Sequence, residues 1–172
     1  MKLFSNILLT KEDERIAEIL KDINIFKNLT PYERAKIARY FQKREYKAGD
    51  RIIKEGESGD RMYIIEKGAV KITKKLKNKK EKVITNMVDG DFFGEIALLD
   101  NTPRSASVYA ITNVKMLELY RVSLQELLNK DSEIGVKILY KFSQILAERI
   151  RNAGDKIRDI LIWQSLKGEK KR

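Results

Sequence analysis

The sequence predicts an α+β fold: an antiparallel β jelly-roll barrel with N-terminal helices, one short internal helix and a long C-terminal helix. Residues 11–41 place apolar side chains at helical spacing. Residues 45–122 are short β-like runs separated by glycine-containing turns, the texture of a barrel or jelly roll. From Ser123 the helical period returns and persists through residue 165.

Each element has a local cause. In KEDERIAEILKDI, residues 11–23, Ile16, Ile19, Leu20 and Ile23 share one helical face, Thr10 is placed to cap it, and acidic residues fill the first turn. The second helix opens at Thr30, with Pro31 suited to the first helical position and Glu33 completing a capping box. Ala35, Ile37, Ala38 and Phe41 supply its apolar contacts. In the β region, Gly49, Gly56, Gly59, Gly68 and Gly90 stand where positive φ or a tight turn is expected. GEIALL is the one helical stretch inside it. After it, Ser123 with Glu126 reads as the cap of a short helix. A long amphipathic helix follows from about Ser132 to Ser165, with Ile134, Ile138, Phe142 and Ile145 in one row and Val136, Leu139, Leu146, Ile150, Ile157 and Ile160 in a second. Gly154 interrupts that helix as a hinge, a close contact or a weak point.

Composition removes whole classes of function. The chain has 172 residues, 42% hydrophobic and 35% charged, which suits one globular core and argues against disorder. Cysteine and histidine are both absent. That removes disulfides, thiolate chemistry, the commonest general base and the usual transition-metal ligands, and with them a cupin-type metal enzyme. No run approaches the roughly 20 apolar residues of a membrane span, and the N-terminus lacks a secretory pattern, so a cytoplasmic location with no membrane partner is expected. The net charge is +11, concentrated at residues 71–82 and in KGEKKR, residues 167–172. The first cluster reads as two strands joined by a Lys/Asn turn, with lysines guarding an exposed edge, in preference to a phosphate-binding surface.

The stretch DFFGEIALLDNTPRSASV, residues 91–108, carries the chemistry. A short helix starting at Gly94 offers unpaired amides to an anion, and glycine lets a ligand approach the backbone. Arg104 can fork onto two phosphate oxygens and Ser105 adds a hydroxyl. Glu95 would repel an anion but can accept from a neutral donor such as a sugar hydroxyl. A ligand with both a phosphate and a hydroxyl satisfies all of them, which points to a nucleotide.

Phe93-Gly94-Glu95, Ala97-Leu98-Leu99 and Pro103-Arg104-Ser105-Ala106-Ser107-Val108 resemble the phosphate-binding cassette of cyclic nucleotide-binding domains. These occur in catabolite-activator-type bacterial regulators, regulatory subunits of cyclic-AMP-dependent kinase and cyclic-nucleotide-gated channels. The similarity runs over roughly residues 25–160. The resemblance implies that Glu95 accepts from the ribose 2′-hydroxyl and Arg104 pairs with the cyclic phosphate, while amides from Gly94 to Ala97 and Ser105 complete the cradle. The candidate ligand-binding set is Phe93, Gly94, Glu95, Ile96, Ala97, Arg104, Ser105 and Ala106, with Ile84 from the β region and Asn152 from the long helix.

Two departures shape the expectations. Ala153 and Gly154 stand where catabolite activators present hydroxyls to the base, leaving Arg151 and Asn152 as substitutes. Ser105 does not discriminate cyclic AMP from cyclic GMP. About ten residues follow Trp163, too few for a helix-turn-helix, so no dedicated DNA-binding domain is expected. The expected organisation is a helical segment at 1–24, a cyclic nucleotide-binding β-roll at 25–130, a long helix at 131–165 and a basic tail at 166–172. The expected function is a non-catalytic cyclic AMP or cyclic GMP sensor, without cofactor or metal. It signals through its C-terminal helix, a homodimer or an unknown protein effector. The alternative is a degenerate fold acting as a scaffold or nucleic-acid-associated basic protein.

Overall fold

Thr10 and Thr30 open the first two helices by the same device. In the computed structural model, which describes residues 9–76 and 80–169, the Thr10 and Thr30 hydroxyls accept from the amides of Asp13 and Glu33, whose carboxylates accept from the threonine amides in return. Helix α1 spans Lys11–Asp22, a 3-10 turn Asn24–Phe26, and helix α2 Pro31–Ala38.

Eight strands follow: β1 Phe41–Tyr46, β2 Arg51–Ile53, β3 Arg61–Lys67, β4 Val70–Lys75, β5 Glu81–Met87, β6 Phe92–Phe93, β7 Ser107–Ala110 and β8 Val114–Tyr120. They form two four-stranded antiparallel sheets, ordered β1-β8-β3-β6 and β2-β7-β4-β5, which is the expected β-roll. Helix α3, Glu95–Asp100, interrupts the roll between β6 and β7. Helices α4, Arg121–Lys130, and α5, Ser132–Glu169, complete the chain.

Two cores explain the apolar run in β3. Met62 and Ile64 face the cluster built with Leu20, Phe26, Ile37 and the α5 row Ile134, Ile138, Phe142 and Ile145. Tyr63 and Ile65 point into the roll with Ile53, Val70, Phe93, Val108 and Met116. A strand buried on both faces loses the polar alternation of a half-exposed one. Strand β5 is the opposite case: it forms a sheet edge and is exposed almost throughout, with lysines on the β4–β5 hairpin. The expected Lys/Asn turn at 77–79 and the tail residues 170–172 lie outside the described residues, as do residues 1–8.

Several local expectations are corrected. Helix α4 begins at Arg121 without a side-chain cap, so Ser123 lies within its first turn. The preceding strand runs straight into the helix and leaves no loop for a capping residue. Helix α5 continues to Glu169, past the expected end at 165. Gly59 has no positive φ, whereas Gly49, Gly56, Gly68 and Gly90 do. Gly154 meets nothing within 4 Å of an added Cβ, so packing against this chain does not require it. Among the described residues no helix is long and apolar enough to cross a membrane.

Candidate functional site

Gly94 is the N-cap of α3 at φ +82°, and a Cβ there would lie 2.8 Å from the Arg104 Nη1 and 3.2 Å from the Arg61 carbonyl. Both the backbone conformation and the space exclude a side chain. The first turn of α3 lines a cavity of about 170 Å³ between the sheets and α5. Phe93, Gly94, Glu95, Ile96, Ala97, Arg104, Ser105 and Ala106 all line it, together with Ile53, Ile72, Met87, Pro103, Val108 and Arg149.

Arg104 is 7% exposed. Its Nη1 donates to the Gly94 carbonyl at 3.3 Å, and its guanidinium lies 5.7 Å from the centre of the Tyr63 ring, itself stacked on Phe93 at 5.1 Å. The Arg104 backbone exchanges hydrogen bonds with the 56–57 turn: its carbonyl accepts from the Gly56 amide and its amide donates to the Glu57 carbonyl. Among the described residues Arg104 has no carboxylate ion-pair partner, and burial depresses its guanidinium below the ordinary arginine value. A buried cation without a counter-ion is a site for an anion.

Glu95, 2% exposed, does not pair with Arg104. Its Oε1 accepts from the Nη1 of Arg149 on α5, whose guanidinium also sits 5.1 Å from the Phe92 ring centre. The site therefore has two poles, an unpaired cation and a carboxylate tied to the C-terminal helix.

Two members of the expected set lie elsewhere. Ile84 is 60% exposed at a bulge in β5, where pairing jumps from Ile72–Thr85 to Thr73–Val83. Ile72 and Met87 line the cavity from that hairpin instead. Asn152 lines an adjoining cavity with Asn24, Asp91, Glu148 and Arg149. Among the described residues, the one that α5 contributes to the main cavity is Arg149. It continues the buried row Ile138, Phe142, Ile145 by one more helical step, a phase already present in the sequence.

Fold and site together define an antiparallel β-roll whose interrupting helix lines a cavity with a buried arginine and is tied to a long helix by an ion pair. Residues 43–131 match the cyclic nucleotide-binding domain model. A cAMP-dependent protein kinase regulatory subunit of Aspergillus fumigatus is 43% identical over 67% of this chain and 27% of its own length. A CRP-like cAMP-activated global transcriptional regulator of Mycobacterium tuberculosis is 32% identical over 84% of the chain and 62% of its own length. A cyclic nucleotide-binding domain from Methylobacillus flagellatus superposes with TM-score 0.74 at 30% identity, over 84% of this chain and 82% of that one. The chain belongs to the cyclic nucleotide-binding domain family. It spans less than two thirds of the two named regulators.

Proposed function

We propose that this chain is a cyclic nucleotide sensor, in which the cyclic phosphate binds Arg104 and the amides of the first turn of α3, and Glu95 accepts from the ribose hydroxyl. The carrying observation is the buried Arg104, unpaired and facing a cavity whose other pole is the buried Glu95. Phe93, Ile53, Ile72, Met87 and Val108 give that cavity its apolar wall, suited to the sugar and base. Cyclic AMP is the ligand in the names of both regulators, and cyclic GMP is the competitor to test against it.

The output proposed is movement of α5. A ligand hydroxyl at Glu95 competes with Arg149, so occupancy alters an ion pair that links α3 to the long helix. The exposed row Leu139, Ile150, Ile157 and Ile160 on α5 supports pairing with a second copy, through which that movement is transmitted. The role is non-catalytic: the ionisable side chains lining the cavity are Glu95, Arg104 and Arg149, all assigned to binding. A cytoplasmic site of action goes with it, since the ligand is a metabolite of the cell interior.

Calorimetric titration of nucleotide-stripped protein with cyclic AMP, cyclic GMP and open-chain 5′-AMP tests the proposal. Saturable binding of a cyclic nucleotide, with 5′-AMP weaker, supports it. No heat and no thermal stabilisation with either cyclic nucleotide overturns it in favour of a scaffold.

A further inference from the structure

Arg121, the first residue of α4, makes more hydrogen bonds than its place at a strand–helix junction requires. Its Nε donates to the Leu98 carbonyl at 3.1 Å, its Nη1 to the Asn101 side-chain oxygen, and its Nη2 to the carbonyls of both Ala97 and Gly59. Its backbone amide donates to the Asp60 carbonyl at 2.7 Å. Carbonyls at the end of a helix have no intrahelical partners and carry the negative end of its dipole, so a guanidinium there stabilises α3 by hydrogen bonding and by charge.

The two carbonyls that share Nη2 belong to the walls around Arg104. A Cβ on Gly59 would stand 2.3 Å from the Ala97 Cβ and 3.0 Å from the Arg104 Nε, so the backbone at Gly59 is packed directly on Ala97 and on the arginine stem. Ala97 and Arg104 both line the cavity. Holding Gly59 and Ala97 together therefore fixes the slot from which the Arg104 guanidinium reaches the anion.

We propose that Arg121 is the positioning residue of the anion site. It locks Gly59 and Ala97 together around Arg104, and from the first turn of α4 it anchors the end of α3. This rests on the function proposed above for its ligand-binding part. Helix α3 is then bracketed by two arginines from the C-terminal helices: Arg149 at its first residue, where the ligand competes, and Arg121 at its end, where nothing does. The Arg121 contact persists while the Arg149 contact is exchanged, which makes α3 a lever with a fixed end.

The test compares Arg121→Ala and Arg121→Lys with Leu124→Ala, a buried residue of α4 outside the site, by cyclic AMP titration, melting temperature and hydrogen exchange of α3. Arg121→Ala is expected to weaken cyclic AMP binding at least about tenfold, with lysine, which cannot fork onto several acceptors, recovering part of the loss. Leu124→Ala is expected to lower the melting temperature at least as much while keeping affinity within about twofold. In the ligand-free chain, the amides of Leu98, Leu99 and Asp100 are expected to exchange at least about tenfold faster in Arg121→Ala and to change little in Leu124→Ala. Unchanged affinity in Arg121→Ala, or equal loss of affinity in both alanine variants, overturns the positioning role. If the unmodified chain binds no cyclic nucleotide, the proposed function has failed, and the exchange comparison alone decides whether Arg121 holds α3.

Discussion

In the proposed site Gly94, Glu95 and Arg104 have separate parts, and their substitutions are expected to fail in different ways. Gly94→Ala forces a side chain into positive φ and against the Arg104 Nη1, so cyclic nucleotide affinity is expected to fall at least about tenfold in a titration. Arg104→Ala removes the partner of a buried phosphate, an expected loss of about 2–5 kcal/mol of binding. Glu95→Gln keeps the shape and an acceptor, so it is expected to weaken binding less than Arg104→Ala; an equal or larger loss means the roles are reversed. These three residues were legible because glycine, carboxylate and arginine sit within a short stretch, each with a type suited to one ligand group. Arg149, Arg121 and Gly59 were not singled out as site residues. Each contacts a partner distant in sequence, as Arg149 does Glu95 and Arg121 does Gly59. Arg149 alone left a signal, its phase with Ile145.

The capped helices α1 and α2 and the β-roll were legible as elements because caps, glycine turns and apolar periods are written locally. The start of α4 was not. Ser123 and Glu126 mimic a capping box, but β8 already ends at Tyr120 and the helix follows without a break. Ile84 was assigned to the cavity in error for another reason: alternation along β5 is broken by a bulge that only the pairing with β4 defines. Helix α2 is tied to the α4–α5 junction by Lys36–Asp131 at 2.6 Å and to α5 by Lys137–Glu33 at 2.5 Å. Burial pushes the Glu33 carboxyl up, but the Lys137 ammonium and the Thr30 amide and hydroxyl outweigh it, leaving its pKa below the ordinary carboxylate value. A carboxyl depressed in the folded state stabilises above its unfolded pKa, and that contribution is lost as pH falls through the folded value. Glu33→Gln is therefore expected to cost about 1 kcal/mol near neutrality. The gap from wild type in urea midpoints should close below about pH 4; a gap independent of pH would assign the loss to the cap alone.

At the scale of the molecule, the two cores divide the labour. The inner core sets the apolar wall of the cavity, and the outer one seats α5 through Ile134, Ile138, Phe142 and Ile145. Beyond Ile145, α5 is held at Glu95 through Arg149 while Ile150, Ile157 and Ile160 stay exposed, which is where a second copy is proposed to pack. Ile157→Asp is expected to convert a sedimenting dimer to monomer, with the melting transition of the roll retained. A monomeric wild type at all concentrations would remove dimer geometry from the output. The first measurement is a side-by-side titration of wild type and Arg104→Ala with cyclic AMP. We expect saturable binding at one site per chain in the wild type, weakened at least about thirtyfold by the substitution. Equal affinity in the two proteins, or no binding by the wild type, would contradict a phosphate held by Arg104.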